Sequence, residues 1–366
     1  MLLHQITQYL ETIAPASLQE SYDNAGLLTG NASMHCTGVL ISLDCTEAIV
    51  QEAIDKNCNV IVAHHPIVFS GLKKINGNNY VERTIIKAIK NDIAIYAIHT
   101  NLDNVLQGVN GKIAQKLGLQ NVQILAPKKD VLQKLVVFCP RENAQRLSEA
   151  LFAAGAGNIG NYSECCFVSE GSGSFKPENG ANPQTGEIGK RETVQESRVE
   201  IIFPEWLKGQ IITAIKANHP YEEVAHNIIN LQNKYQTIGS GIIGKLAEPL
   251  EEIDFLNLLA VVFSIKAIKH TTLLNKKIET VAVCGGAGSF LTGAAKAAGA
   301  DVYVTADVKY HEFFDADGQL LLADIGHFES EQFTIDLLFE LLSNKFPNFA
   351  LLKTSVNTNP VVYYVL

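Results

Sequence analysis

Apolar runs of strand length recur along the chain, each followed by an amphipathic helix: "TGVLISLD" before "CTEAIVQEAIDKN", "CNVIVAHHP" before "YVERTIIKAIKNDI", then "AIYAIHTNLDN". Unbroken runs of Val, Ile and Ala suit strands buried on both faces, and helical crossovers are what bury them. The alternation therefore predicts an α/β fold with a mostly parallel sheet. Asp44 followed by Glu47 reads as a capping box that opens the first of these helices. The same grammar returns in "ETVAVCGGAGSF", "LTGAAKAAGA", "DVYVTADV" and "LLLADIGHFESEQFTIDLLFELLSN".

The middle of the chain breaks this grammar. Residues 160–197 are rich in Gly, Ser, Asn and Pro with little periodicity, and read as a long excursion. Two similar units flank it, "KLVVFCPRENAQRLSEALFAAGAG" and "VEIIFPEWLKGQIITAIKANHP", each a strand that ends at Phe then Pro before an amphipathic helix. Tandem β-α units suggest a split β-α-β, ferredoxin-like domain. The expected division is 1–127 and 241–366 as two parts of an α/β core, with an α+β domain inserted at 128–240. A length of 366 residues, long for a single core, agrees with such a division.

Composition narrows the partners. With 38 acidic against 29 basic residues the net charge is −9, and no Lys/Arg run forms a phosphate-tracking stripe, so nucleic acid is not expected. The seven cysteines are odd in number and contain no C-x-x-C pair, which argues against a disulfide framework and a thiolate zinc site. The first residues, "MLLHQITQYLETIAPAS", lack a basic n-region and a cleavage site, and no apolar run approaches a membrane span. The expectation is a cytoplasmic protein without a membrane partner.

The chemistry gathers at strand ends. Ligands of parallel α/β sheets bind beyond the carboxyl ends of the strands. There the chain places His64 and His65, His99 and Asp103, Asp307 and His311, and His327 and Glu331. Adjacent residues of a continuing strand point to opposite faces, so His64 and His65 share a target only if the strand stops, and Pro66 directly after them breaks the ladder. His327 and Glu331 are i and i+4, neighbours on one helical face, and His99 and Asp103 have the same separation. Such a donor set, without thiolate, suits Zn, Mn, Fe, Ni or Co, and a bridging carboxylate would hold two ions. Plainer readings stand beside this one: an H-x-x-x-E pair is common on solvated helices, His99 would also bond a carbonyl, and Asp103 would also cap a helix. "CGGAGSF" (284–290) either cradles a phosphate on backbone N–H groups or makes a tight strand-to-helix turn. It has no P-loop GK[ST] ending. In "YDNAG", Asp23, Asn24 and Gly26 either face the cleft or form an ordinary turn.

Five stretches in this order, "SYDNAGLLTG", "VIVAHHPIVFSGLKKI", "AIHTNLDN", "TADVKYHEFFDA" and "ADIGHFESE", closely resemble the GTP cyclohydrolase 1 type 2 homologue family, also known as Nif-three-like proteins or domain of unknown function 34. The resemblance covers nearly the whole chain. It implies a two-lobed α/β core with a dinuclear divalent-metal centre held by His64, His65, Asp103, His327 and Glu331, Glu331 being the bridge. It further implies cleft-lining roles for His99 and His311, a toroidal homohexamer, and a central CutA/PII-like insertion. The expected activity is that of a metal-dependent hydrolase using a metal-activated water, on GTP or another nucleotide, phosphoester or amide. The alternative is a non-catalytic metal-binding regulatory or sensor protein acting through its PII-like insertion. Five protein ligands on two ions leave open coordination positions, which favours catalysis.

Overall fold

The structure is a computed structural model that describes residues 1–364. In chain order its strands are β1 (Gly26–Thr29), β2 (Val39–Ser42), β3 (Val60–Ala63), β4 (Ala94–Ala97), β5 (Gln120–Lys128), β6 (Leu132–Pro140), β7 (Cys166–Phe175) and β8 (Glu192–Pro204). They continue as β9 (His226–Leu231), β10 (Tyr235–Glu251), β11 (Lys269–His270), β12 (Lys277–Ala287), β13 (Val302–Ala306), β14 (Leu321–Asp324) and β15 (Leu351–Lys353). The chain is a mixed α/β protein with three sheets among the described residues, and it divides into two compact units, Met1–Pro127 with Thr237 onward, and Lys128–Gln236.

The first unit holds two sheets. One has the order β1-β4-β3-β2-β15, and its four strands from β4 to β15 run parallel, while β1 closes the edge antiparallel to β4. Every residue of β2, β3 and β4 is buried, the outcome that their unbroken Val/Ile/Ala runs require. Burying each Val, Leu or Ile side chain contributes about 1.5–3 kcal/mol relative to exposure. The other sheet has the order β11-β14-β13-β12-β10-β5. In it β12, β13 and β14 run parallel, while β10 and β11 pair antiparallel with β12 and β14. The expected parallel character therefore holds from β4 to β15 and from β12 to β14, and antiparallel β1 and β11 each close one edge.

Local signals set the helices. Helix α1 spans Leu3–Ile13 and buries Leu3, Ile6 and Leu10 on one face. Helix α2 (Glu47–Asp55) is capped by Thr46, whose side chain accepts from the N–H of Ile49 at 3.4 Å. Asp44 is thus not the cap its spacing to Glu47 suggested; its carboxylate is engaged elsewhere. Asn79 caps α3 (Tyr80–Lys90) by accepting from Glu82 N–H at 2.9 Å, and Lys87 and Lys90 sit where the helix dipole favours cations.

The second unit is one antiparallel sheet of order β7-β8-β6-β9. A helix over Ala144–Ala153 and another over Lys208–Asn218 pack on it around Leu135, Val137, Leu147, Phe203 and Ile211. Two β-α-β units interleave in this order. The stretch read as an excursion contains β7 and the start of β8, a long pair running from Cys166–Ile201 to Phe175–Glu192. Most of β7 is exposed, so burial imposed no alternation on its sequence. No helix among the described residues is long and apolar enough to cross a membrane.

Candidate metal centre

Four carboxyl-terminal strand ends of the first unit converge. His64 and His65 follow β3 directly, and their N–H groups still donate to the carbonyls of Ser42, the last residue of β2, and Leu43, the next one on. Despite strand alternation, the two rings lie 4.9 Å apart at 43°. His99 directly precedes a single helical turn, Thr100–Asp103, that carries Asp103, without capping it through its side chain. Asp307 follows β13 at φ 53°, a left-handed conformation uncommon outside glycine. Gly326, at φ 92°, swings the chain from β14 into the short helix His327–Glu331.

Glu331 is buried at the centre. Its Oε2 lies 2.9 Å from His65 Nε2 and 3.1 Å from His327 Nε2, while Oε1 lies 3.9 Å from His64 Nε2. His64 Nδ1 sits 2.8 Å from the carbonyl of Ile98, which can only accept, so Nδ1 carries the proton and Nε2 presents a lone pair. That Nε2 is buried without a hydrogen-bond partner, and so is Asp103 Oδ1, 3.6 Å away. Two buried acceptors facing each other require a proton or a cation between them. The donor set of imidazole and carboxylate fits a borderline divalent cation. Ligand atoms of His65, His327 and Glu331 lie within 4.8 Å of one another, as do those of His64, His65 and His99.

Each of three imidazoles is oriented by an aspartate. Nδ1 of His65 lies 2.7 Å from Asp44 Oδ1, Nδ1 of His327 lies 2.6 Å from Asp307 Oδ2, and Nδ1 of His99 lies 2.8 Å from Asp23 Oδ1. The aspartates are held in turn: Thr358 donates its hydroxyl to Asp44, and Thr100 donates its N–H and hydroxyl to Asp23. Carboxylates behind imidazoles fix the ring tautomer and raise ligand basicity. Asp23 therefore backs His99 from outside the cleft lining rather than serving only a turn. Sequence reasoning named these aspartates as a cap, a turn residue and a strand end but not as partners of histidine, because each pairing spans 20 residues or more. The left-handed φ of Asp307 has no sequence signature.

Charge is shared unevenly. Burial opposes ionisation of His65, but hydrogen bonds to Asp44 and Glu331 carry it up to about 10. His327 behaves alike, burial opposing and Glu331 and Asp307 raising it to about 9. Burial and the neighbouring Glu331 push Asp103 up to about 8. Burial would raise Glu331 too, but the bonds from His327 and His65 hold it well below the usual range. Cys284 borders the cleft, yet burial and the nearby Asp103 and Glu331 push its thiol up to about 12, so it is no nucleophile at neutral pH.

The Gly-rich turn after β12 is occupied internally. Gly285 N–H donates to Asn110 Oδ1 at 2.9 Å, Gly286 N–H to Ser330 Oγ at 2.9 Å, and Gly288 N–H to Thr305 Oγ1 at 3.0 Å. A side chain at Gly286 would place its Cβ 2.3 Å from Glu331 Oε1. These glycines let the backbone approach Glu331, and the tight-turn reading is the one the hydrogen bonds favour. His311 stands apart: it is exposed on the turn Tyr310–Ala316, in ring contact with Tyr310 at 5.1 Å, and is not among the residues lining the cleft.

Similarity to known proteins follows the same outline. The protein called GTP cyclohydrolase 1 type 2 homolog in Halalkalibacterium halodurans is 40% identical over 364 residues, covering 98% of each chain. The Bacillus subtilis protein of that name is 39% identical over 326 residues, covering 88% of this chain and 87% of its own. The crystal structure of a Bacillus cereus protein related to NIF3 superposes with a TM-score of 0.86 at 40% identity, covering 100% of this chain and 99% of that one. Residues 1–360 match the Duf34/NIF3 (NGG1p interacting factor 3) family, and the chain belongs to it.

Proposed function

We propose that the cleft is a dinuclear divalent-metal centre of a metal-dependent hydrolase. The observation that carries this reading is the split of Glu331, whose Oε1 faces the unpartnered pair His64–Asp103 while Oε2 faces His65 and His327. One ion would take His64 and Asp103, the other His65 and His327, and Glu331 would serve both. When bound, such ions lower the pKa of water and polarise a substrate oxygen, which gives a hydrolase without a Ser or Cys nucleophile. His65 and His327 are kept in the ligating tautomer by Asp44 and Asp307. His99, backed by Asp23, offers Nε2 to move a proton at the cleft wall, while the relay or substrate-holding role expected of His311 would need a substrate that reaches beyond the cleft lining to its exposed turn. Unchanged turnover after substituting both histidines would remove that assignment.

The names of the relatives suggest GTP, but a centre of this kind serves phosphoesters and amides equally. The β7-β8-β6-β9 sheet with its two helices supports reading Lys128–Gln236 as a CutA/PII-like inserted domain, and the family resemblance suggests a toroidal homohexamer in the cytoplasm. The test is to measure bound metal per chain by elemental analysis, then incubate the metal-replete protein and a Glu331→Ala variant with GTP, phosphoesters and amides. Two metals with Glu331-dependent turnover are expected. Two metals without turnover would shift the reading to a metal-binding regulatory protein, and no metal would overturn both.

A further inference from the structure

The cleft has a volume of about 690 Å³, within the range of small-molecule sites. Its walls carry two features that the metal reading does not use. The first is a track of rings leading from the surface to the imidazoles. Tyr22 and Phe69 lie 6.2 Å apart, Phe69 and His99 are 6.2 Å apart, and His99 stands 5.4 Å from His65. Tyr80 and Phe290 also line the mouth. These four apolar rings are 62, 51, 59 and 70% exposed for Tyr22, Phe69, Tyr80 and Phe290. Exposed aromatics grouped around a concave site are stacking platforms in want of a planar partner.

The second feature is the absence of a permanently charged cationic side chain. None of the described residues lining the cleft is a lysine or arginine, whereas Glu20, Asp44, Asp103 and Glu331 all line it. Sites that recognise polyphosphate clamp it with Arg, Lys or free backbone N–H groups. Here the N–H groups of Gly285, Gly286 and Gly288 are already donated within the protein. Four carboxylates would offset the charge of two divalent ions, leaving little net attraction for several further negative charges.

We propose that the substrate of this centre is an uncharged planar heteroaromatic compound, gripped by stacking on the Tyr22–Phe69–His99 wall, and that a nucleoside triphosphate is not its ligand. This rests on the cleft being the hydrolase site argued above. It concerns which molecules enter, and its test is arranged to fail separately from the metal reading.

Binding is measured by calorimetry for three uncharged ring probes, guanosine, a free pterin and nicotinamide, and for GTP and inorganic tripolyphosphate. Each is run on metal-free and metal-replete protein, as wild type and as Phe69→Leu and Tyr22→Leu. The metal-free arm removes any contribution from phosphate chelating an ion. The expected result is that at least one ring probe binds both forms, that GTP binds metal-free protein no tighter than guanosine, and that tripolyphosphate does not compete. Phe69→Leu should weaken the ring probe about tenfold, the loss typical of one stacking partner, with metal content and melting temperature unchanged. Both substituted side chains are largely exposed, so the variants retain the fold. Failure of every ring probe to bind, indifference to both substitutions, or GTP more than tenfold tighter than guanosine on metal-free protein would overturn the proposal. A chain that takes up no metal but still binds rings through Phe69 would overturn the metal reading alone.

Discussion

The five-stranded sheet delivers His64 and His65 without interruption, their N–H groups still in register with the strand beside them, and His64 is wholly buried. In the six-stranded sheet the corresponding donor arrives later. His327 lies beyond a left-handed Gly326 on a helix of five residues, and its side chain is 38% exposed. One half of the site is thus held by backbone, and the other by a side chain, Asp307, itself on a left-handed residue. A ladder-fixed ligand resists loss of its support, whereas a ligand on a short helix depends on it. Glu331 is where the two halves meet.

The largest effect should follow from the residue common to both. Glu331→Gln keeps the shape but removes the charge and places a donor among imidazole nitrogens, so both halves should lose affinity by more than about a hundredfold, beyond the range for outer-shell partners. A chelator competition monitored by bound metal measures it; retention of one tight ion would mean that the halves work separately. Gly286→Ala reaches the same carboxylate from outside. Its Cβ would sit 2.3 Å from Oε1 and its φ of 63° disfavours any side chain, so a loss of about 10–100-fold in metal affinity is expected. The backbone conformation adds about 1–2 kcal/mol of destabilisation, read in urea denaturation.

Next come the two aspartates, which test the comparison directly. Asp307→Asn and Asp44→Asn each remove the charge behind one imidazole, and outer-shell changes of this kind cost about 10–100-fold in metal affinity. Asp307→Asn should lie at the upper end and Asp44→Asn at the lower, because His65 keeps its ladder position when Asp44 is altered. Equal losses in the chelator titration would show that the strand ladder gives His65 no advantage.

How far the sequence could be read follows the same division. The buried centres of both sheets were legible because full burial forces largely apolar runs, as in Val60–Ala63 and, Thr305 apart, Val302–Ala306. Strand ends and helical spacing drew attention to His64, His65, Asp103, His327 and Glu331 among eight candidates, the family resemblance singled them out, and the structure gathers them around Glu331, with His64 buried behind the cleft lining. The antiparallel edges and the exposed β7 were not, since an edge or solvent-facing strand lacks the burial that imposes a pattern. Nor were Asp23, Asp44 and Asp307 as supports of histidine. Long-range side-chain pairs leave no trace in local spacing, and Asp44 mimicked a cap that Thr46 provides.

The smallest effect expected belongs to the rim of the five-stranded sheet. Glu52 on α2 accepts the hydroxyl of Thr354, the N–H and hydroxyl of Ser355 and the ammonium of Lys56, so it fastens the segment that follows β15. That segment leads to Thr358, which steadies Asp44 behind His65. Burial opposes the charge on Glu52, but the bonds from Lys56, Ser355 and Thr354 lower its pKa from the ordinary 4.5 to about 2. A group depressed on folding contributes stability that is complete above its unfolded value and is lost as pH falls through the folded one. The wild type should therefore lose this contribution between about pH 4.5 and 2. Glu52→Gln, which removes it at every pH, should cost about 1–3 kcal/mol near neutrality, the range for a lost charged hydrogen-bond partner. Urea denaturation of both proteins from pH 7 to 3 measures the gap, which should narrow as the pH falls. A gap that stays constant would mean that Glu52 acts by packing, and that the backbone-held half of the site does not depend on the charge at its rim.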